Sequence, residues 1–189
     1  MARNIVFLGI KHCGKSTHGK LLAARLKREF FDTDDLLVAY YRRKYSPDTE
    51  DISPRWIMRQ HGEEFFRRTE AETVLEFLQN NPAGGSVLAL GGGVPENRFL
   101  TPQNIKSLGV LVHLVIDPEI AYSRVLAGGV PPFLAGDDPH GKFMDMARAR
   151  MQKYSLLADL QINIPADTGA DHLNNLIFEQ LVKNGFLSL

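Results

Sequence analysis

The sequence predicts one α/β domain in which helices cover both faces of a parallel sheet. Three observations predict it. Short apolar, β-branched runs recur between longer stretches of helical periodicity. The runs are unbroken rather than alternating, as strands buried on both faces must be. The first run leads into a glycine-rich turn and then a helix, and such turns hold anions at the carboxyl end of a sheet.

Taken in order, the first strand is expected at Ile5 to Leu8, and a helix starts at Lys15 and carries Leu21, Leu22 and Leu26. Phe30-Phe31 before Asp32 is the shortest strand candidate, and the polar stretch Ser46 to Ser53 reads as a loop. A long helix is expected from about Pro54 to Leu78, with Phe65, Phe66, Val74 and Phe77 on its apolar side. Strands follow at Ser86 to Leu90, Val110 to Ile116 and Leu160 to Ile164. Further helices are expected near Glu119 to Leu126, Phe143 to Leu157 and Ala170 to Val182, with a loose Gly-, Pro- and Asp-rich stretch from Ala127 to Lys142. Strands alternating with helices imply parallel pairing.

A chain of 189 residues fits a single domain spanning 1–189, and 44% apolar against 23% charged residues is ordinary globular composition. Net charge is zero, so no nucleic-acid or membrane partner is expected and any charge recognition is local. The one cysteine, Cys13, excludes an intrachain disulfide and suits a reducing, cytoplasmic setting. No apolar run approaches the roughly 20 residues that cross a bilayer, and the apolar run near the N-terminus is too short for a signal peptide.

The strongest motif is Gly9-Ile10-Lys11-His12-Cys13-Gly14-Lys15-Ser16, followed by Thr17. It matches Gly-x-x-x-x-Gly-Lys-Ser/Thr, the P-loop, between a strand and a helix. Gly9 and Gly14 let the backbone fold so that its N–H groups face an anion. Lys15 is placed to reach nucleotide phosphates, and Ser16 to offer its hydroxyl to Mg²⁺. Lys11, and His12 if protonated, could add positive charge; the alternative is that only their backbone matters. Cys13 lies beside a helix N-terminus, but no cysteine–histidine design surrounds it.

Asp32 and Asp34 fall two apart. In an extended chain both would face the cleft, one to hold hydrated Mg²⁺ and one to accept a proton. A helix N-cap is the competing explanation. Arg67 and Glu70 share a helix face, either as a guanidinium aimed at a substrate carboxylate or as a solvated ion pair. Gly91-Gly92-Gly93 ends a buried strand, either to admit a ligand against backbone or as a plain turn.

Together these motifs resemble the shikimate kinase family over nearly the whole chain and in order. The residues that carry the resemblance are Gly9 to Thr17, Phe31-Asp32-Thr33-Asp34, Gly62-Glu63 with Phe66-Arg67-Arg68 and Glu70, Leu90-Gly91-Gly92-Gly93, and Arg150 with Tyr154 leading to Ala158-Asp159. The resemblance implies a three-layer P-loop kinase fold with a five-stranded parallel sheet and a mobile lid at about 127–142. It implies ATP- and Mg²⁺-dependent phosphorylation of the shikimate 3-hydroxyl in aromatic amino-acid biosynthesis, by a monomer. ATP would be held by Gly9, His12, Cys13, Gly14, Lys15, Ser16, Thr17 and Arg124, with residues 165–168 beside the adenine. The acceptor region would span about 33–70. There Asp34 would serve as base and Arg67 and Arg150 as carboxylate clamp, over a floor of Gly91, Gly92 and Gly93. Asp32 and Ser16 would hold the metal.

One departure stands out. The family's lid carries Arg-Pro-Leu-Leu where this chain has Pro131-Pro132-Phe133-Leu134. Lys11, His12, His140 or Lys142 could replace the lid arginine. The segment between Asp34 and Arg67, with Arg42, Arg43 and Lys44, is longer than usual and could reshape the acceptor pocket. Two further expectations remain: a kinase for another small hydroxy acid, and a nucleotide-binding homologue with weakened catalysis.

Overall fold

The structure is a computed structural model that describes residues 3–81, 84–127, 134, 136–165 and 169–188. Residues 128–133 and 135 of the expected lid, Pro131 among them, and the adenine-side residues 166–168 lie outside them. Five parallel strands form one sheet in the order β2-β3-β1-β4-β5. They are β1 (Ile5–Leu8), β2 (Phe30–Asp32), β3 (Val87–Ala89), β4 (Val110–Val115) and β5 (Leu160–Asn163). Helices α1 (Lys15–Leu26), α2 (Thr33–Tyr45), α3 (Pro54–Asn80), α4 (Pro102–Ser107), α5 (Pro118–Ala127), α6 (Pro139–Leu157) and α7 (Ala170–Lys183) flank it.

Every residue of β1 and β3 is buried, which explains why their sequences show no polar alternation. Registers such as Val6↔Leu88 and Leu8↔His113 bring the loops after β1 and β3 side by side at the sheet's carboxyl edge. The chain passes from β1 to one side of the sheet and from β3 to β4 on the other, and α/β sheets bind ligands at such a reversal. Arg25 of α1 stacks on Phe178 of α7 and bonds Asn175, fastening those two helices together.

All five expected strands are present. Of the two readings of Asp32 and Asp34, an extended chain and a helix N-cap, the structure shows the N-cap. Asp32 ends β2 with β-region backbone, and its Oδ1 accepts from the Asp34 N–H at 3.0 Å. It is therefore the N-cap of a helix that starts one residue later, and Asp34 lies in the first helical turn. The long third helix is broken at Gly62, whose φ of 81° is non-helical. Helices α2 and α3 enclose a small separate core of Leu37, Tyr41, Ile52, Ile57 and Phe66. On its outside, Arg43 pairs with Glu76 and Lys44 with Glu72, so these basic residues tie α2 to α3.

His113 is an unusual occupant of β4. It is 1% exposed, and its ring meets Tyr154 of α6 edge-on, with centroids 5.3 Å apart. Burial, helped by the charge of Lys15, lowers its pKa from 6.5 to about 4. The unfolded chain therefore binds the extra proton first, between those two values. Stability should rise with pH across that window and be lost as pH falls through it, by on the order of 3 kcal/mol from this group. Urea unfolding at a series of pH values should show a steeper acid loss for the natural chain than for His113→Phe. Equal slopes would contradict the assignment.

Candidate active site

The site begins with backbone. Gly9 and Gly14 have φ of 154° and 95°, and a side chain at Gly9 would strike Cys13 Sγ and the Leu114 carbonyl. The loop between them therefore closes tightly over the start of α1. His12 also adopts a positive φ of 63°, a strained choice for a non-glycine residue. Its carbonyl is held by Arg124 Nη1 at 3.0 Å, which links α5 to the loop. The Lys15 ammonium donates to the Gly9 and Ile10 carbonyls at 2.9 and 3.1 Å. Ser16 Oγ donates to Asp32 Oδ2 at 2.5 Å, so the phosphate-loop helix and the end of β2 meet across the intervening β3.

Electrostatics separate the loop cations. Burial, then the charges of Lys11, Lys15 and Arg124, lowers the His12 pKa below its ordinary 6.5. This disfavours the protonated imidazole, while the His12 carbonyl takes part in the loop's hydrogen bonding. His140 pairs with Glu119 at 3.0 Å, and its ring faces Tyr122. Lys142 approaches Gly136. Lys11 shares the field of Lys15 and Asp34, together with Arg55, which the sequence analysis did not single out. Desolvation, then Arg55, lowers its pKa.

The other wall is the glycine triplet after β3. A Cβ at Gly91 would lie 2.8 Å from Asp34 Oδ1, and one at Gly92 would lie 3.3 Å from Arg150 Nη1. At Gly93 a Cβ would collide with the Arg67 guanidinium. Three bare residues in a row thus each face a different charged group, so the triplet is a close approach rather than a plain turn. Gly92 also lies beside the Gly9 carbonyl, which joins this wall to the phosphate loop. The Gly91 N–H donates to Thr33 Oγ1 at 2.7 Å, and Tyr154 donates to the Gly92 carbonyl at 2.6 Å.

Both arginines are held from behind. Arg67 Nη1 bonds Glu70 Oε2 at 3.0 Å, and Arg150 Nε bonds Glu96 Oε2 at 2.9 Å. The Arg67–Glu70 pair is half-buried to buried rather than solvated. Asp34 is exposed, though much of its surroundings is protein. That desolvation, with the charges of Asp32 and Glu70 and against that of Lys15, raises its pKa from 3.8 to about 6.

Comparison with known proteins agrees with this geometry. The shikimate kinase family model matches residues 11–182. The chain belongs to the shikimate kinase family. Curated members include shikimate kinases of Dechloromonas aromatica and Cupriavidus pinatubonensis. The first is 34% identical over 164 residues, covering 85% of this chain and 81% of the relative. The second is 34% identical over 186 residues, covering 97% and 88%. Among solved structures, the shikimate kinase from Acinetobacter baumannii in complex with shikimate superposes with a TM-score of 0.80. It is 28% identical and covers 98% of this chain and 96% of its own. A thymidylate kinase from Candida albicans, 13% identical with a TM-score of 0.56 over 98% and 93% of the two chains, shares the fold alone.

Gly9, His12, Cys13, Gly14, Lys15, Ser16 and Thr17 lie along the loop and the first turn of α1, and Arg124 joins them at the His12 carbonyl. Asp34, Arg67 and Arg150 meet the triplet of Gly91, Gly92 and Gly93, and Asp32 bonds Ser16. Sequence reasoning missed Glu96, Asn97 and Thr33. Their partners lie 27 to 58 residues away, and no local pattern marks them. A cavity of about 470 Å³ beside the triplet is lined by Glu63, Glu64, Arg67, Glu96 and Arg98. A larger groove of about 1060 Å³, between the start of α5 and the far face of α6, touches neither glycine wall.

Asp32 serves both the cleft and the α2 cap, and substitutions can separate the two. Asp32→Asn keeps a capping oxygen while Asp32→Ala does not, and both remove the charge beside Asp34. Urea denaturation should find the alanine variant less stable than the asparagine variant by about 1 kcal/mol. Equal stabilities would show that the cap contributes nothing.

Proposed function

We propose that this protein transfers the γ-phosphoryl group of ATP to the 3-hydroxyl of shikimate, giving shikimate 3-phosphate and ADP. One observation carries the reading. In a chain of this family, a carboxylate and two guanidiniums converge on bare backbone beside a phosphate loop. An acceptor with a hydroxyl at one end and a carboxylate at the other fits that polarity.

The phosphate loop orients the triphosphate through its N–H groups and the N-terminus of α1. Lys15, now over the Gly9 and Ile10 carbonyls, turns to the phosphate oxygens. Arg67 and Arg150 bind the acceptor carboxylate through their remaining donors. That places the hydroxyl toward Asp34, 2.8 Å from where a Gly91 side chain would stand. The hydroxyl oxygen bonds to the γ-phosphorus as the bond to the β–γ bridging oxygen breaks. Its proton passes to the Asp34 carboxylate. Ser16 Oγ and Asp32 Oδ2, 2.5 Å apart, are hard oxygen donors of the kind Mg²⁺ accepts when phosphates and waters complete its shell. When bound there, the ion would neutralise charge on the β- and γ-oxygens. The cleft is built from one chain, which supports a working monomer. The free thiol of buried Cys13 suits the cytoplasm.

A coupled ADP-release assay with shikimate and other small hydroxy acids tests the proposal. Turnover on shikimate in preference to the others is expected, and its absence would sink the reading. The acting form of Asp34 is the anion, and its pKa is raised to about 6. The kcat/KM for shikimate should therefore fall as pH drops below about 6 and level off above it. Asp34→Asn should lower kcat by roughly 10²- to 10⁴-fold, the usual contribution of a positioned base. A profile flat down to pH 5 would remove Asp34 from the role.

A further inference from the structure

The two arginines proposed to bind the acceptor come from elements far apart in sequence, α3 and α6. A clamp needs them at a fixed separation. One short turn supplies it. Residues Val94–Glu96 form a single 3-10 turn immediately after the glycine triplet. Its backbone is closed by Glu96 N–H to the Gly93 carbonyl and Asn97 N–H to the Val94 carbonyl, at 3.0 and 3.1 Å.

Consecutive side chains of this turn reach both arginines. Glu96 accepts from Arg150 Nε at 2.9 Å. That uses the single Nε–H and leaves the terminal nitrogens for another anion, with Nη1 beside Gly92. Asn97, 3% exposed, donates from one Nδ2 to the Arg67 carbonyl at 2.7 Å and to Glu70 Oε2 at 2.9 Å. The same Glu70 oxygen accepts from Arg67 Nη1. Asn97 Oδ1 in turn accepts the Phe99 N–H at 2.9 Å, so the amide is anchored on both sides. Glu96 and Arg67 also line the same 470 Å³ cavity.

We infer that Glu96 and Asn97 are positioning residues that set the spacing and aim of the Arg150 and Arg67 forks, and so tune the protein's preference for a carboxylate-bearing acceptor. This rests on the function proposed above. Neither residue need touch the acceptor. Glu96 fixes one fork directly, and Asn97 fixes the other through Glu70. Because both sit on one turn, the two forks cannot drift independently. A planar fork pre-oriented in this way loses little freedom when it takes a carboxylate in two bonds.

The test uses the full chain with Glu96→Ala and Glu96→Gln, each checked for an unchanged melting temperature. Glu96→Ala should raise the KM for shikimate about tenfold, the loss of one hydrogen bond to a charged group. The KM for ATP and kcat should stay near their natural values. Glu96→Gln should recover most of the loss, since its amide oxygen still accepts from Nε. An unchanged shikimate KM in folded Glu96→Ala would overturn the inference. So would a parallel rise in both KM values, which marks a general structural role, or a Gln variant as impaired as Ala. Asn97→Asp is a second probe. It places a carboxylate oxygen against Glu70 and should also raise the shikimate KM selectively; no change there removes Asn97 from the device. If the natural protein turns over no carboxylate acceptor, the proposed function itself has failed. If it does and the variants match it, only this inference has.

Discussion

The site depends on the absence of side chains at Gly91, Gly92 and Gly93. A Cβ there would collide with Arg67, press on Asp34 or crowd Arg150. Bare backbone lets three charged groups from three helices approach one strand end, and Tyr154 and Thr33 pin that backbone from either side. The strand is held rigidly, because all of β3 is buried between β1 and β2. A surface loop in that place would not fix donors to within the fraction of an ångström that positioning catalysis needs.

The opposite wall obeys a related constraint. The loop from Gly9 to Gly14 takes its tight path because Gly9 and Gly14 lack side chains and His12 accepts an unfavourable backbone conformation. Arg124 holds that conformation through the His12 carbonyl. Like charges crowd both walls. Lys11, Lys15 and Arg55 share one field, and Asp32, Asp34 and Glu70 another. At Lys11 and at Asp34 these like charges add to burial in disfavouring the charged form. Desolvation first, and then the charges of Asp32 and Glu70, raises the pKa of Asp34.

Much of this was legible in the sequence. The phosphate loop is contiguous, so its glycines, Lys15 and Ser16 announce it by spacing. The strands are short apolar runs with no competing periodicity. Asp32 and Asp34 were legible as a pair but not in placement, because one aspartate ends a strand and caps a helix, and the two roles look alike in a single chain. Helix α4 is only six residues long and was not visible as a period. Glu96 and Asn97 were invisible for another reason. Their meaning comes from partners brought in by the fold, and an acidic residue followed by an asparagine looks like any surface turn.

Calorimetric titration of shikimate into the Gly93→Ala protein tests the glycine wall most directly. The added methyl meets the flexible end of Arg67, so the chain should fold with a melting temperature close to the natural one. The account predicts that shikimate affinity falls at least about tenfold, as for a lost charged hydrogen bond, while ATP affinity is unchanged. Shikimate binding as tight as in the natural protein would contradict it.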